Sequence, residues 1–186
     1  MLPQLCRPSR HCSQVSQSVT LPPNAGGLIG ALGAPTNYGI GPVSVAVDGP
    51  NLLVIADFAH SVVWLDNRGD QSIARFGRTI APGQMAVVAG NDAQGDTGDG
   101  GPATKAALGA NGLAVDGEGN LYIADENADV VRKVEASSGI ITTVAGTGTA
   151  GYNGNGGPAT QAALSSPKGM AVDAAGNLYI ADGSNN

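Results

Sequence analysis

Residues 112–125 read GLAVDGEGNLYIAD, and residues 169–182 read GMAVDAAGNLYIAD. A more worn copy stands earlier, SVAVDGPNLLVIAD at 44–57. The first aspartates of the three copies, Asp48, Asp116 and Asp173, are separated by 68 and 57 positions. A second block returns in the same order: GGPATKAAL at 100–108 and GGPATQAAL at 156–164, each preceded by a strand-like run, VVAG at 87–90 and TVAG at 143–146. Blocks that recur in one order at similar spacing mark a repeat architecture, in which each unit leans on its neighbours.

Within one unit the chain alternates short apolar runs with turn chemistry. Gly112–Val115 reads as a strand, Asp116-Gly-Glu-Gly-Asn120 as a turn, and Leu121–Ala124 as a second strand. A polar connection follows over Asp125–Asp129, then a third strand over Val130–Glu135 and a fourth over Ile140–Ala145. The inner strands, LAV, LYIA and LLVIA, are apolar on consecutive residues, so both of their faces must be covered. The third strand carries Arg132 and Lys133 and is expected nearer to solvent. Four-stranded antiparallel meanders stacked face to face are the blades of a β-propeller. Alanines recurring at 46, 114 and 171, and at 56, 124 and 181, suit crowded packing near its axis. The fold class is therefore all-β, a propeller of four-stranded blades with about two and a half present.

Composition agrees with many short strands: 29 glycines and 11 prolines in 186 residues, with 42% hydrophobic residues and 4% aromatic. The net charge of −6 disfavours a nucleic-acid partner, since phosphate would be repelled. No run approaches the ~18 apolar residues of a membrane span. Residues 1–23 read as a flexible leader, with Cys6, His11 and Cys12 incidental to it, because three ligands are short of a structural zinc set. Arg7 and Arg10 are followed by no apolar h-region, so no signal peptide is visible.

The set AVDxxGNLYIAD, VVRKV, ITTVAG and GGPATxAxL resembles NHL repeats of the bacterial long-loop kind, over residues 24–186. The blades are expected at about 43–90, 112–146 and 169–186, the last incomplete, with an insertion near Asp66–Gln84 in the first. The resemblance implies about six blades in a closed ring. The repeat count therefore favours a piece of a longer protein over several copies forming a ring, although exposed blade edges would offer a route to self-association. Residues Ser18–Leu21 are a candidate closing strand. The resemblance leans towards an extracellular or periplasmic setting and leaves the compartment open. The Asn usual three residues after the Asp of the IAD block is present as Asn185; the other copies have His60 and Ala128 there.

Several motifs tempt a catalytic reading. Gly146-Thr-Gly-Thr-Ala-Gly151 spells G-x-G-x-x-G, but Tyr152-Asn-Gly-Asn-Gly-Gly-Pro158 cannot form the helix that a dinucleotide site needs. Asp92, Asp96 and Asp99 invite calcium, yet their spacing is wrong and the next copy offers Asn153 and Asn155. His60 and Ser61 are adjacent and point apart on an extended segment, so they make no nucleophilic pair and His60 reads as a plain loop residue. Asp48, Asp116 and Asp173 read as turn builders. Pro102 and Pro158 suit the first turn of short helices, ATKAAL and ATQAAL.

In propeller geometry the loops after second strands and the loops between blades emerge on one face. That face would gather Asp57, His60, Asp125, Asn127, Asp129, Asp182 and Asn185 as candidate binding residues, beside the two glycine-rich loops. The expectation is a binding scaffold for a protein, peptide or glycan, without catalytic residues, metal or cofactor. The alternative is a lyase or hydrolase whose metal or acid/base centre is completed by further blades.

Overall fold

The computed structural model describes residues 41–185. The leader, Cys6, His11, Cys12, the candidate strand at Ser18–Leu21 and the chain before Gly41 lie outside the described residues, as does Asn186. Strands β1 (Pro42–Val47), β2 (Leu52–Asp57), β3 (Val62–Asn67) and β6 (Met85–Ala89) pair antiparallel in that order. Between β3 and β6 lies a small hairpin, β4 (Ile73–Arg75) and β5 (Arg78–Ile80). The second sheet is β7 (Ala110–Val115), β8 (Leu121–Asp125), β9 (Val130–Val134) and β10 (Ile141–Ala145), again an antiparallel meander. Strands β11 (Pro167–Val172) and β12 (Leu178–Asp182) form a two-stranded sheet with the same register pattern. These are successive β-propeller blades, and among the described residues they do not close a ring.

The blades stack face to face. Strands β1 and β2 lie against β7, and β11 lies against β7 and β8. One core joins the first two blades: Val54, Ala56, Val63 and Leu65 meet Leu113, Leu121, Ile123 and Val134, all buried. The apolar runs of β2, β7 and β8 are thus buried on consecutive residues, whereas β1 and the third-blade run Leu178–Asp182 alternate exposed and half-buried residues and stand open on one face. A smaller cluster of Ile55, Val62, Trp64 and Met85 fills the other face of the first blade. Between the second and third blades the backbones come so close that a Cβ on Gly112 would stand 1.6 Å from the Lys168 carbonyl oxygen. Glycine there sets the inter-blade distance.

Asp116 and Asp173 organise the turns after the first strands. Asp116 Oδ1 accepts the backbone N–H groups of Glu118 and Asn120, and its Oδ2 accepts the Asn120 amide and the Tyr122 hydroxyl. Asp173 does the same with Ala175, Asn177 and Tyr179. In the worn copy Asp48 instead pairs with Arg75 at 3.0 Å. That arginine belongs to the insertion, which forms the β4–β5 hairpin and crosses to the second blade. Phe76 at its tip is buried in the shared core.

Two expectations need correction. The third strand is not nearer to solvent: Arg132 is fully buried, because its guanidinium finds an aspartate in the inter-blade loop. The short helices expected at ATKAAL and ATQAAL are present but cut down to one 3-10 turn apiece, Ala103–Lys105 and Ala159–Gln161. Pro102 and Pro158 precede these turns with extended ψ of 128° and 134°, and the following alanines return to extended backbone.

Candidate functional site

The β2–β3, β8–β9 and post-β12 turns lie at the same end of the blades as the two glycine-rich loops. Two positions show why these loops begin with glycine. Gly90 (φ +90°) and Gly146 (φ +91°) press on the carbonyls of Ser61 and Asp129, which would lie 2.1 and 2.4 Å from an added Cβ. The loops are then tied down by side chains. Asp129 Oδ1 accepts the Ser166 N–H at 2.8 Å, and the Asn185 amide donates to the Gly151 carbonyl at 2.6 Å. Asn91 donates to the Lys105 carbonyl at 3.0 Å, and Asn153 accepts the Ala163 N–H at 3.0 Å. A loop face built this way is pre-organised. It displays Tyr152, the most exposed large hydrophobic residue described, at 71%.

Each candidate residue has a definite place. Asp57, Asp125 and Asp182 end β2, β8 and β12 and use Oδ1 alike, accepting the backbone N–H of Gly41, Gly109 and Ser165. They therefore fasten the segment entering each first strand as well as the turn that follows. Their second oxygens differ. Asp57 Oδ2 contacts His60 Nδ1 at 2.8 Å and Asp182 Oδ2 accepts the Asn185 amide at 2.6 Å, so His60 is more than a plain loop residue. Asn127 is exposed beside Gly109, and Asp129 is spent on the inter-blade bond. The structure thus joins Asp57 to His60 and Asp182 to Asn185, while Asp125 turns inward.

Asp125 faces Arg132, and both side chains are fully buried. The Arg132 Nε donates to Asp99 Oδ1 at 3.0 Å, and its Nη2 also reaches Asp99 and the Thr97 carbonyl. Asp99 further accepts the Thr143 N–H at 2.8 Å. Burial raises the Asp99 carboxyl, but the bonds from Thr143 and Arg132 outweigh it and hold the group below the usual carboxylate range. Asp99 is therefore engaged in an ion pair, and among the described residues no three acidic, His or Cys groups converge as a metal site. Burial pushes Asp125 up to about 6, against the Gly109 N–H and Arg132, with the nearby Asp96 adding to the rise.

Arg132 and Asp99 as a pair escaped the sequence reading. A charged residue on the same strand face as Val130 and Val134, opposite Ile123, was the available signal, because a buried arginine requires a partner. That partner lies 33 positions away, across a loop whose course only the tertiary structure shows.

No family model matches the chain, and no curated protein matches it. Solved structures do. A protein of unknown function from Bacteroides thetaiotaomicron is 21% identical, with a TM-score of 0.52, over 76% of this chain and 44% of that one. An auxiliary nutrient binding protein of the same organism is 19% identical, with a TM-score of 0.59, over 78% of this chain and 36% of that one. One from Bacteroides ovatus is 20% identical, with a TM-score of 0.50, over 71% and 32%. The chain spans less than half the length of each. At these identities the likeness is one of fold, and it is to propeller-like proteins.

Proposed function

We propose that this chain is part of an NHL-type propeller scaffold, not a self-contained enzyme, and that its loop face binds a protein, peptide or glycan. The observation carrying this reading is the stapling of glycine-rich loops by side-chain bonds to backbone, which presents Tyr152 and Asn127 on a pre-organised surface. Pre-organisation reduces the ordering cost of association, and an exposed tyrosine supplies an apolar face with a polar tip. The NHL assignment draws on the four recurring sequence blocks. Auxiliary nutrient binding proteins share the fold, which suits a binding role.

The lyase or hydrolase alternative draws on Asp125, whose carboxyl at about 6 is suited to proton transfer near neutrality. Its complete burial favours a structural use instead.

The test is to screen the chain against glycan and peptide arrays, then repeat with Tyr152→Ala on the loop face and Glu118→Gln at the opposite end. The reading requires a tenfold or greater loss with the first and none with the second. Equal loss in both, or chelator-sensitive turnover, would overturn it.

A further inference from the structure

Three asparagines are followed by glycine: Asn111, Asn153 and Asn155. That dipeptide can convert without an enzyme. The glycine nitrogen, once its proton has passed to hydroxide, attacks the carbonyl carbon of the asparagine side chain. A C–N bond forms, the bond to the amide nitrogen breaks, and ammonia leaves with a proton taken from water. Water then opens the resulting five-membered imide at either carbonyl, giving aspartate or isoaspartate. Glycine favours the attack because it has no Cβ to block the approach and its backbone turns freely. The fold decides which pair reacts. The glycine N–H must be unbonded, and the side-chain amide must be free to swing towards it.

Two of the pairs are held. Asn111 and Gly112 lie inside β7, where Gly112 is in register with Ala124 and packs on the Lys168 carbonyl. The Asn111 amide is engaged by Glu126. Asn153 is bridged to Ala163, whose N–H it accepts through Oδ1 at 3.0 Å. Gly154 is wedged against Ala162, so that an added Cβ would stand 2.6 Å from the Ala162 Cα. Attack at either pair has to break these contacts first.

Asn155 and Gly156 stand clear. Both are exposed, and an added Cβ on Gly156 would meet nothing within 4 Å. Asn155 donates one long bond, from Nδ2 to the Tyr152 hydroxyl at 3.3 Å, and its Oδ1 has no partner among the described residues. The Gly156 N–H likewise has no partner among them, whereas the matching Gly100 N–H donates to the Ile141 carbonyl at 2.8 Å. A turn closed by the Gly157 N–H on the Gly154 carbonyl, at 3.0 Å, carries the pair. With glycine at 154, 156 and 157, that turn rotates readily to bring the Gly156 nitrogen to the side chain.

We propose that Asn155 is a site of spontaneous deamidation, converting to aspartate and isoaspartate ahead of Asn111 and Asn153. The change places a new negative charge beside Tyr152. Its aspartate product gives this loop the Asp-Gly-Gly-Pro run that the preceding loop carries at 99–102.

The 186-residue chain is incubated at pH 8.5 in water enriched in heavy oxygen, digested, and mapped by mass spectrometry. The heavy label marks acid formed during the incubation. Folded protein should take up label at Asn155 at least about tenfold faster than at Asn111 or Asn153, since each of those must first give up a hydrogen bond. In urea the three pairs should convert at similar rates. The Asn155 product should split into two peaks of equal mass, aspartate and isoaspartate, and its rate should fall as pH drops to 6. Gly156→Ala should slow Asn155 severalfold and leave Asn111 and Asn153 unchanged. Folded protein that keeps Asn155 intact while the unfolded chain loses it overturns the proposal, as does equal conversion of all three when folded. A single aspartate product, or an unchanged rate in Gly156→Ala, excludes attack by the Gly156 nitrogen and overturns it too.

Discussion

Phe76 donates its backbone N–H to the carbonyl of Ala136 at 2.7 Å, so the tip of the first blade's inserted hairpin is bonded to the second blade. The same residue buries its ring, 3% exposed, in the core shared by the two blades. Its φ of +51°, followed by Gly77 at +70°, gives a tight two-residue hairpin turn with a bulky residue in a left-handed conformation. The packing of the ring against both blades offsets that strain. Phe76→Ala should therefore cost about 3 kcal/mol, lowering Tm by roughly 10 °C in thermal denaturation. A change below 2 °C would mean that the hairpin is a passive insertion.

Gly112 marks the closest approach of the second and third blades, and its lack of a side chain is a packing requirement. An alanine Cβ would sit inside the Lys168 carbonyl oxygen, so β7 and β11 must separate. Gly112→Ala should destabilise by 3 kcal/mol or more, on the order of severe overpacking. Hydrogen exchange should show the loss concentrated in β11 and β12. Retention of wild-type protection there would refute the close approach.

The Asp129–Ser166 bond is a second tie between these blades. Removing a single charge-assisted hydrogen bond costs about 1.5–3 kcal/mol. Asp129→Ala should thus loosen the third blade while the first two keep their protection. Asp129 sits at φ +54°, which asparagine tolerates, so Asp129→Asn should recover part of the loss. Amide exchange of β11 measures both variants.

Asp125 sets a pH dependence whose sign is opposite to that of a typical surface carboxylate. Its folded pKa of about 6 lies above that of an ordinary aspartate, so the folded state holds the proton more tightly than the unfolded chain. Burying the charged form therefore costs stability above pH 6, and that cost is relieved as pH falls from 6 towards 4. The full effect is at most about 3 kcal/mol. Urea unfolding of the wild type and Asp125→Asn at pH 7.5, 6 and 5 should show wild type gaining on the variant as pH drops. Parallel curves would place the titration elsewhere.

Much of the architecture was legible before any coordinates. The period was visible in AVDxxGNLYIAD, and the unbroken apolarity of LYIA and LLVIA required cover on both faces. The turn aspartates were also readable, because Asp116 and Asp173 act on backbone and side chains within six residues of themselves. Local chemistry of that reach is written in the local sequence.

The candidate face was legible only as a grouping of turns. The sequence marked Asp57, Asp125 and Asp182 as equivalent, and their shared Oδ1 bonds reflect that equivalence. What it could not reveal was the separate fate of each Oδ2, or that Arg132 would be buried. Those depend on which loop residue crosses a blade boundary: Asp99 reaches Arg132 from 33 positions away, and Asp129 reaches Ser166 from 37. Periodicity and turn chemistry therefore determined the blades, since these arise from neighbours along the chain. The burial of charge and the spacing between blades were decided by tertiary structure, because both depend on atoms brought together only when the sheets stack.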